Sequence, residues 1–176
     1  MKLAKLGLNQ NQRGFALLTM MIALAISGII VTAATMTTFQ VMNGSNRTSN
    51  HMVAIRQVQN AGYWISYDVQ MSQTVEPAAA PDQDGLPLTL TWNEYASGIE
   101  HQIVYELVGD ELRRSYSING GAPTESTVAE FIVSGTNCEY SGGVLTFTVV
   151  ATVGAGSQEI TETGIYEIIP RPSGQS

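Results

Sequence analysis

The sequence predicts an α+β fold in which a long N-terminal helix packs on an antiparallel β-sheet domain. Three observations support this fold class. A charge-free apolar run opens the chain, and a stripe of apolar residues at helical spacing follows it. From residue 88 onward, short alternating segments separated by glycine-rich turns indicate strands that succeed one another through hairpins.

The long apolar run lies at residues 15–34, FALLTMMIALAISGIIVTAA, and its only polar members are Thr19, Ser27 and Thr32. About twenty apolar residues span roughly 30 Å as a helix, which is the thickness of a hydrocarbon core. A helix of this length in a water-soluble protein would show a polar face, and this one shows none. We therefore predict a membrane-spanning helix.

The basic residues near the start of the chain set the predicted topology. Lys2, Lys5 and Arg13 precede the apolar run, and the next basic residue is Arg47. By the positive-inside rule, Met1 is expected in the cytoplasm and the C-terminal domain outside it.

Three kinds of segment combine a basic leader with an apolar run. A secretory signal has an apolar core of only about 7 to 15 residues and is cut after it. A plain single-pass anchor fits the length but leaves the leader unexplained. The third kind is cut before the apolar run, which then stays in the mature protein.

The segment RGFALLTMMIALAI, residues 13–26, resembles the prepilin signature of type IV pilins and type II secretion pseudopilins. The resemblance implies cleavage between Gly14 and Phe15 by a prepilin peptidase, followed by methylation of the Phe15 amine. The partners it implies are other pilin or pseudopilin subunits, an inner-membrane assembly platform and the lipid bilayer. The implied location is the cytoplasmic membrane, with one membrane pass, and then a pilus or pseudopilus.

Thr19 departs from the pattern of that family, which usually has glutamate at the fifth mature position. The resemblance implies that this glutamate pairs with the terminal amine of a neighbouring subunit. Thr19 cannot form that ion pair, although its hydroxyl can bond to a carbonyl of its own helix. Two interpretations stay open: a divergent subunit that assembles by apolar packing alone, and a tip or initiating subunit, which we favour.

Beyond the membrane, the helix is expected to continue on a β-domain. Residues 43–46, NGSN, are turn-like and could kink it. Pro77 is expected to stop it near Gln73. The apolar stripe that should face the β-domain comprises Met52, Ile55, Val58, Gly62, Ile65 and Val69.

The predicted organisation is a leader at 1–14, a transmembrane and filament-core helix at 15–42, its amphipathic continuation at 43–75, a loop at 76–87 and an extracytoplasmic β-domain at 88–176. Strands are expected at residues 88–92, 101–107, 112–118, 128–133, 138–140, 145–152 and 159–169. The β-domain resembles J-type (W-type) minor pseudopilins through the hairpin around Tyr105 and Arg113 and through the terminal Pro170-Arg171-Pro172.

Candidates for chemistry are few. Cys138 is the single cysteine, which excludes an intrachain disulfide, and His51 and His101 are too few for a transition-metal centre. Asp82 and Asp84 begin a calcium-loop pattern but lack its later bidentate glutamate, so we favour a solvated loop and no cofactor. We predict no catalytic residues and do not expect an enzyme.

Charge divides the chain at residue 67. Residues 1–67 carry five basic residues and no acidic one (+5), and residues 68–176 carry three basic and 15 acidic residues (−12). An acidic β-domain disfavours nucleic acid as a partner. Arg113 and Arg114 are interpreted as an edge or surface pair that discourages strand-on-strand aggregation.

The sequence thus favours a structural filament subunit, a minor pilin or pseudopilin. One alternative is an extracytoplasmic binding module on an unprocessed membrane tether, which would keep residues 1–14. Another is a secreted β-protein released near Ala34.

Overall fold

The computed structural model describes residues 11–78 and 85–172. Helix α1 extends over Asn11–Met71. The described strands are β1 Thr74–Pro77, β2 Leu88–Asn93, β3 Glu100–Val108, β4 Glu111–Ile118, β5 Thr124–Ala129, β6 Asn137–Ser141, β7 Val144–Val153 and β8 Ile160–Ile168. A 3₁₀ turn at Gly156–Gln158 joins β7 to β8. The chain forms two compact units, Met1–Ser45 and Asn46–Ser176.

The strands of the second unit form two antiparallel sheets. A five-stranded sheet has the order β1-β2-β3-β4-β5, and a three-stranded sheet has the order β6-β7-β8. The predicted α+β class is confirmed, although the sequence analysis expected one sheet. The chain leaves the first sheet after β5, where Phe131 has a φ of 60° and Gly135 a φ of 97°. These left-handed conformations turn the backbone away from further pairing with β4.

The core of the second unit lies between α1 and the sheets. Helix residues at spacings of three or four are buried, namely Val58, Ala61, Ile65 and Val69. They pack with inward-facing strand residues such as Tyr105 and Phe147, both fully buried. The predicted stripe was wrong at Met52, which is 58% exposed. Met52 lies almost opposite the buried side of the helix, because successive residues are about 100° apart.

The boundaries of α1 and of two strands differ from the prediction. The α1 assignment runs through residues 43–46, and the helix ends at Met71, two residues before the expected end. The predicted loop at 76–87 begins later, because Glu76 and Pro77 belong to β1. Proline is tolerated there because β1 is an edge strand.

The fifth strand was predicted at 128–133 but occupies Thr124–Ala129. Val128 and Ala129 end that strand as buried residues, and Ile132 instead forms an isolated bridge with Ala151 of β7. The apolar residues that suggested one strand therefore serve both sheets.

A buried ion pair joins the end of α1 to the five-stranded sheet. Asp68 is 1% exposed and accepts hydrogen bonds from the Arg114 guanidinium at 2.7 Å and 3.2 Å. The Tyr105 hydroxyl also donates to Asp68. Burial raises the pKa of Tyr105, and the neighbouring Asp68 carboxylate raises it further. Although burial lowers the pKa of Arg114, its hydrogen bonds and charge interaction with Asp68 outweigh that effect and raise it.

A second contact joins α1 to the three-stranded sheet. A Cβ added at Gly62 would lie 2.0 Å from the Tyr166 ring, so the ring occupies the space that a side chain would fill. The Tyr166 hydroxyl donates to the carbonyl oxygen of Val58 at 3.2 Å. Close approach of this helix and this sheet therefore requires glycine at position 62.

We predict that Asp68→Ala destabilises the second unit by about 3–5 kcal/mol, because it leaves the Arg114 charge and the Tyr105 hydroxyl without their buried acceptor. Trp64 lies against the Arg114 guanidinium at 5.4 Å, so tryptophan fluorescence reports the loss. The measurement is chemical denaturation of the full chain in detergent micelles. Glu139→Ala, at an exposed position of β6, is the matched control and should leave the transition within about 0.5 kcal/mol. An equal effect of both variants would contradict the assignment.

We also predict that Gly62→Ala costs about 1–3 kcal/mol, since the new methyl group must displace the Tyr166 ring. The same denaturation measurement tests it. Asn60→Ala on the exposed side of α1 is the control and should be neutral or slightly stabilising. A Gly62→Ala chain as stable as this control would show that Tyr166 does not hold the helix.

Candidate processing and assembly segment

The N-terminal part of α1 is an apolar surface with no charge. Residues 15–46 contain no Asp, Glu, Lys or Arg, and every side chain from 15 to 49 is exposed. The large apolar side chains of this part are more than half exposed, from Ile22 at 52% to Phe15 at 71%. Within the described residues, the helix Phe15–Met71 is long and apolar enough to cross a membrane.

The peptide bond predicted to be cleaved lies near the start of the described part of α1. Arg13, Gly14 and Phe15 all belong to this helix, Asn11–Met71. Because glycine loses little when it becomes extended, the position suits a bond that must enter a peptidase cleft. Lys2 and Lys5 lie outside the described residues.

Thr19 satisfies its hydroxyl within its own helix. Its Oγ1 donates to the carbonyl oxygens of Phe15 at 3.1 Å and Ala16 at 2.9 Å. The hydroxyl therefore does not need a partner from another subunit, and it supplies no negative charge for one.

The hydroxyls further along the segment behave in the same way. Each donates to the carbonyl oxygen four residues earlier, at 2.8–3.0 Å; these residues are Ser27, Thr32, Thr35, Thr37 and Thr38. A hydroxyl bonded to its own backbone can enter hydrocarbon without an unsatisfied donor. The polar residues of the run therefore do not interrupt its apolar surface.

The candidate calcium residues Asp82 and Asp84 lie outside the described residues. Across residues 11–78 and 85–172, no three His, Cys, Asp or Glu side chains come together as a metal site would require. Cys138 is buried, and burial raises the pKa of its thiol to about 12.

The two adjacent arginines do not form the expected edge pair. Their strand β4 lies inside the five-stranded sheet, and their side chains point to opposite faces. Arg113 pairs with Glu111 at 3.0 Å on the outer face, whereas Arg114 binds the buried Asp68. The sequence reasoning missed Asp68 and Tyr105. The available signal was Asp68 itself, which follows the buried Ile65 at helical spacing and is the first acidic residue of the chain.

Comparison with known proteins supports the interpretation of the N-terminal segment. Residues 9–35 match the family model described as "Prokaryotic N-terminal methylation motif". No curated protein and no solved structure matches the chain. The match includes Gly14, Phe15 and Thr19, and it extends to residue 35, within the part of α1 whose exposed surface is apolar. The chain therefore carries the N-terminal methylation motif of type IV pilin-like prepilins, at the start of a helix that can anchor it in a membrane.

Proposed function

We propose that the chain is a minor pilin or pseudopilin, a structural subunit of a type IV pilus or type II secretion pseudopilus. The observation that carries the proposal is the charge-free, exposed apolar surface of α1 immediately after the Gly14–Phe15 bond. Such a surface is stable only in lipid or against other apolar helices. A methylation motif at the start of this surface supports transfer of the helix from the membrane into a filament.

In this proposal the chain is stored in the inner membrane with residues 1–14 in the cytoplasm and the β-domain outside. The orientation rests on Lys2, Lys5 and Arg13, which precede the apolar run. A prepilin peptidase cuts before Phe15, its new amine is methylated, and an assembly platform extracts the helix into the filament. The work is mechanical, with no catalytic residue or cofactor assigned to this chain.

We further propose that the subunit occupies a minor position, at the tip or at initiation. Thr19 supports this because it lies where the family usually has a glutamate, and its hydroxyl bonds within its own helix. A subunit with no neighbour above it has no use for a carboxylate that pairs with a neighbour's amine. The β3–β4 hairpin, Glu100–Val108 with Glu111–Ile118, is the feature behind a J-type assignment, which stays part of the proposal.

The first experiment determines the N-terminus of the chain purified from its native membrane, by intact mass and terminal peptide sequencing. We expect a start at Phe15 with a methylated amine. Gly14→Val should block cleavage, because its side chain fills the space that glycine, which has no Cβ, leaves free in the peptidase cleft, and the chain should keep residues 1–14. Gly28→Ala, inside the membrane run, is the control and should be processed normally. A wild-type start at Met1 would indicate an unprocessed tether, and a start near Thr35 would indicate a secreted protein.

A second experiment addresses Thr19 directly. Thr19→Val removes the hydroxyl at nearly constant volume, and we expect unchanged membrane insertion, processing and incorporation into filaments. Thr19→Glu should reduce membrane insertion modestly, since a carboxylate in hydrocarbon costs about 3 kcal/mol on insertion scales. Incorporation is measured by blotting sheared filaments against the membrane fraction. If Thr19→Glu raised the share of the chain in filaments severalfold, the tip assignment would be wrong and Thr19 would mark a weakly assembling internal subunit.

A further inference from the structure

The side of α1 that faces away from the sheets carries an exposed aromatic and basic strip. Tyr63 is 65% exposed and Tyr67 is 53% exposed, and their rings stack with centroids 6.5 Å apart. Arg56 is exposed about two turns earlier on the same side, with Gln59 and Asn60 between them. No acidic residue precedes Asp68 in the chain, so nothing within this part of α1 neutralises Arg56. We call these five residues, Arg56, Gln59, Asn60, Tyr63 and Tyr67, the helix face.

The outer side of the three-stranded sheet has the complementary character. Cross-strand register places Glu139, Thr146 and Glu167 in one row over β6, β7 and β8. Ile165, on the same side of β8, is 66% exposed, and Ile169 just beyond the strand is 70% exposed. Residues 137–169 contain no Lys or Arg. We call these five residues, Glu139, Thr146, Ile165, Glu167 and Ile169, the sheet face.

The outer side of the five-stranded sheet is a poorer match. Arg113 lies there, bonded to Glu111 at 3.0 Å and opposite Glu106 in the register of β3 and β4. The acidic side chains on this outer side therefore have a cation within their own sheet. The sheet face keeps its carboxylates without a cation from its own strands, and it alone combines them with two exposed isoleucines.

The two faces agree in size. Arg56 and Tyr63 are seven residues apart, which is about 10 Å along a helix. Glu139 and Glu167 lie two strand spacings apart, which is also about 10 Å. If the Tyr63 ring lies over Ile165, Arg56 is therefore within reach of the carboxylate of Glu139 or Glu167.

One molecule cannot bring its own faces together. The inner side of α1 packs against the inner side of the three-stranded sheet, where Val58 and Gly62 meet Gly164 and Tyr166. The helix face and the sheet face therefore lie on opposite outer surfaces of the second unit. Complementary patches on opposite sides of one molecule are the arrangement that joins copies head to tail.

We propose that the helix face of one copy docks on the sheet face of a second copy. The contact is heterologous, so a pair of copies at the tip or at initiation leaves one helix face and one sheet face free for neighbouring subunits. This inference rests on the proposed function as a filament subunit and names the partner surface. It also relates to Thr19. A subunit without a charged group at that position makes its charge-specific contact through the extracytoplasmic unit instead.

The test is cross-linking of the full chain in its native cells with a short bis-maleimide. Two differently tagged chains are co-expressed, one with Asn60→Cys in the helix face and one with Thr146→Cys in the sheet face. Native Cys138 does not compete, because it is 6% exposed and burial raises the pKa of its thiol to about 12. We expect dimers that contain both tags when the two chains are mixed, and none when either is expressed alone.

Charge reversal makes the test specific. Arg56→Glu on the first chain or Glu167→Arg on the second should lower the mixed dimer about fivefold, the effect of losing one exposed ion pair. The two together should restore it. Glu125→Arg on β5 of the other sheet is the charge control and should have no effect. Tyr63→Ala should also lower the yield, whereas Tyr95→Ala, at an exposed position between β2 and β3, should not.

Other outcomes overturn the proposal. Dimers from the Asn60→Cys chain alone would indicate a helix-to-helix contact, and cross-links only to a different protein would exclude a second copy as the occupant. Absence of mixed dimers in a preparation whose N-terminus is Phe15 would reject the docking contact while the proposed function stands. A chain that starts at Met1 would reject the proposed function, and the cross-links would still decide the contact.

Discussion

The hydrogen-bonded ion pair between Asp68 and Arg114 is the constraint on which the arrangement of the second unit depends. Asp68 is the first acidic residue of the chain and lies in the last turn of α1, where it is buried against β3 and β4. A buried carboxylate is tolerable only if its oxygens are satisfied, and Arg114 and Tyr105 do this together. Because these donors come from two strands, Asp68 reaches both of them at only one rotation of the helix about its axis and one position along that axis.

The rest of the second unit follows from that fixed helix position. With Asp68 turned toward the five-stranded sheet, Val58 and Gly62 meet the three-stranded sheet and allow Tyr166 to lie against the helix backbone. The helix thus packs against two sheets at once, and it makes a different kind of contact with each. An ion pair sets orientation, whereas the glycine contact sets distance, and neither can replace the other.

Helix α1 is one continuous helix whose two parts have different side-chain surfaces. Before residue 46 its side chains are exposed and uncharged, and its hydroxyls bond to their own carbonyls. After residue 46 one side is buried and the other carries Arg56, Tyr63 and Tyr67. The first part suits lipid or the interior of a filament, and the second part orients a folded domain that presents an acidic sheet. Under the proposed function, the first part of the helix serves membrane storage and extraction, and the second part serves neighbour selection.

The sequence by itself determined the membrane-capable helix, the N-terminal methylation motif, the α+β class and most strands, because each depends on local features: run length, charge and alternation. Strand β7 alternates buried and half-buried residues along all ten positions, and its pattern is legible without a structure. Three things were decided by tertiary structure. The chain turns at Phe131 and Gly135 into a second sheet, Met52 lies outside the buried side of α1, and Arg114 separates from Arg113 to pair with Asp68. These outcomes depend on contacts between separate elements of the chain, such as Asp68 and Arg114, which are 46 residues apart. Local periodicity identifies the buried side of one element, but only packing shows what that side is buried against.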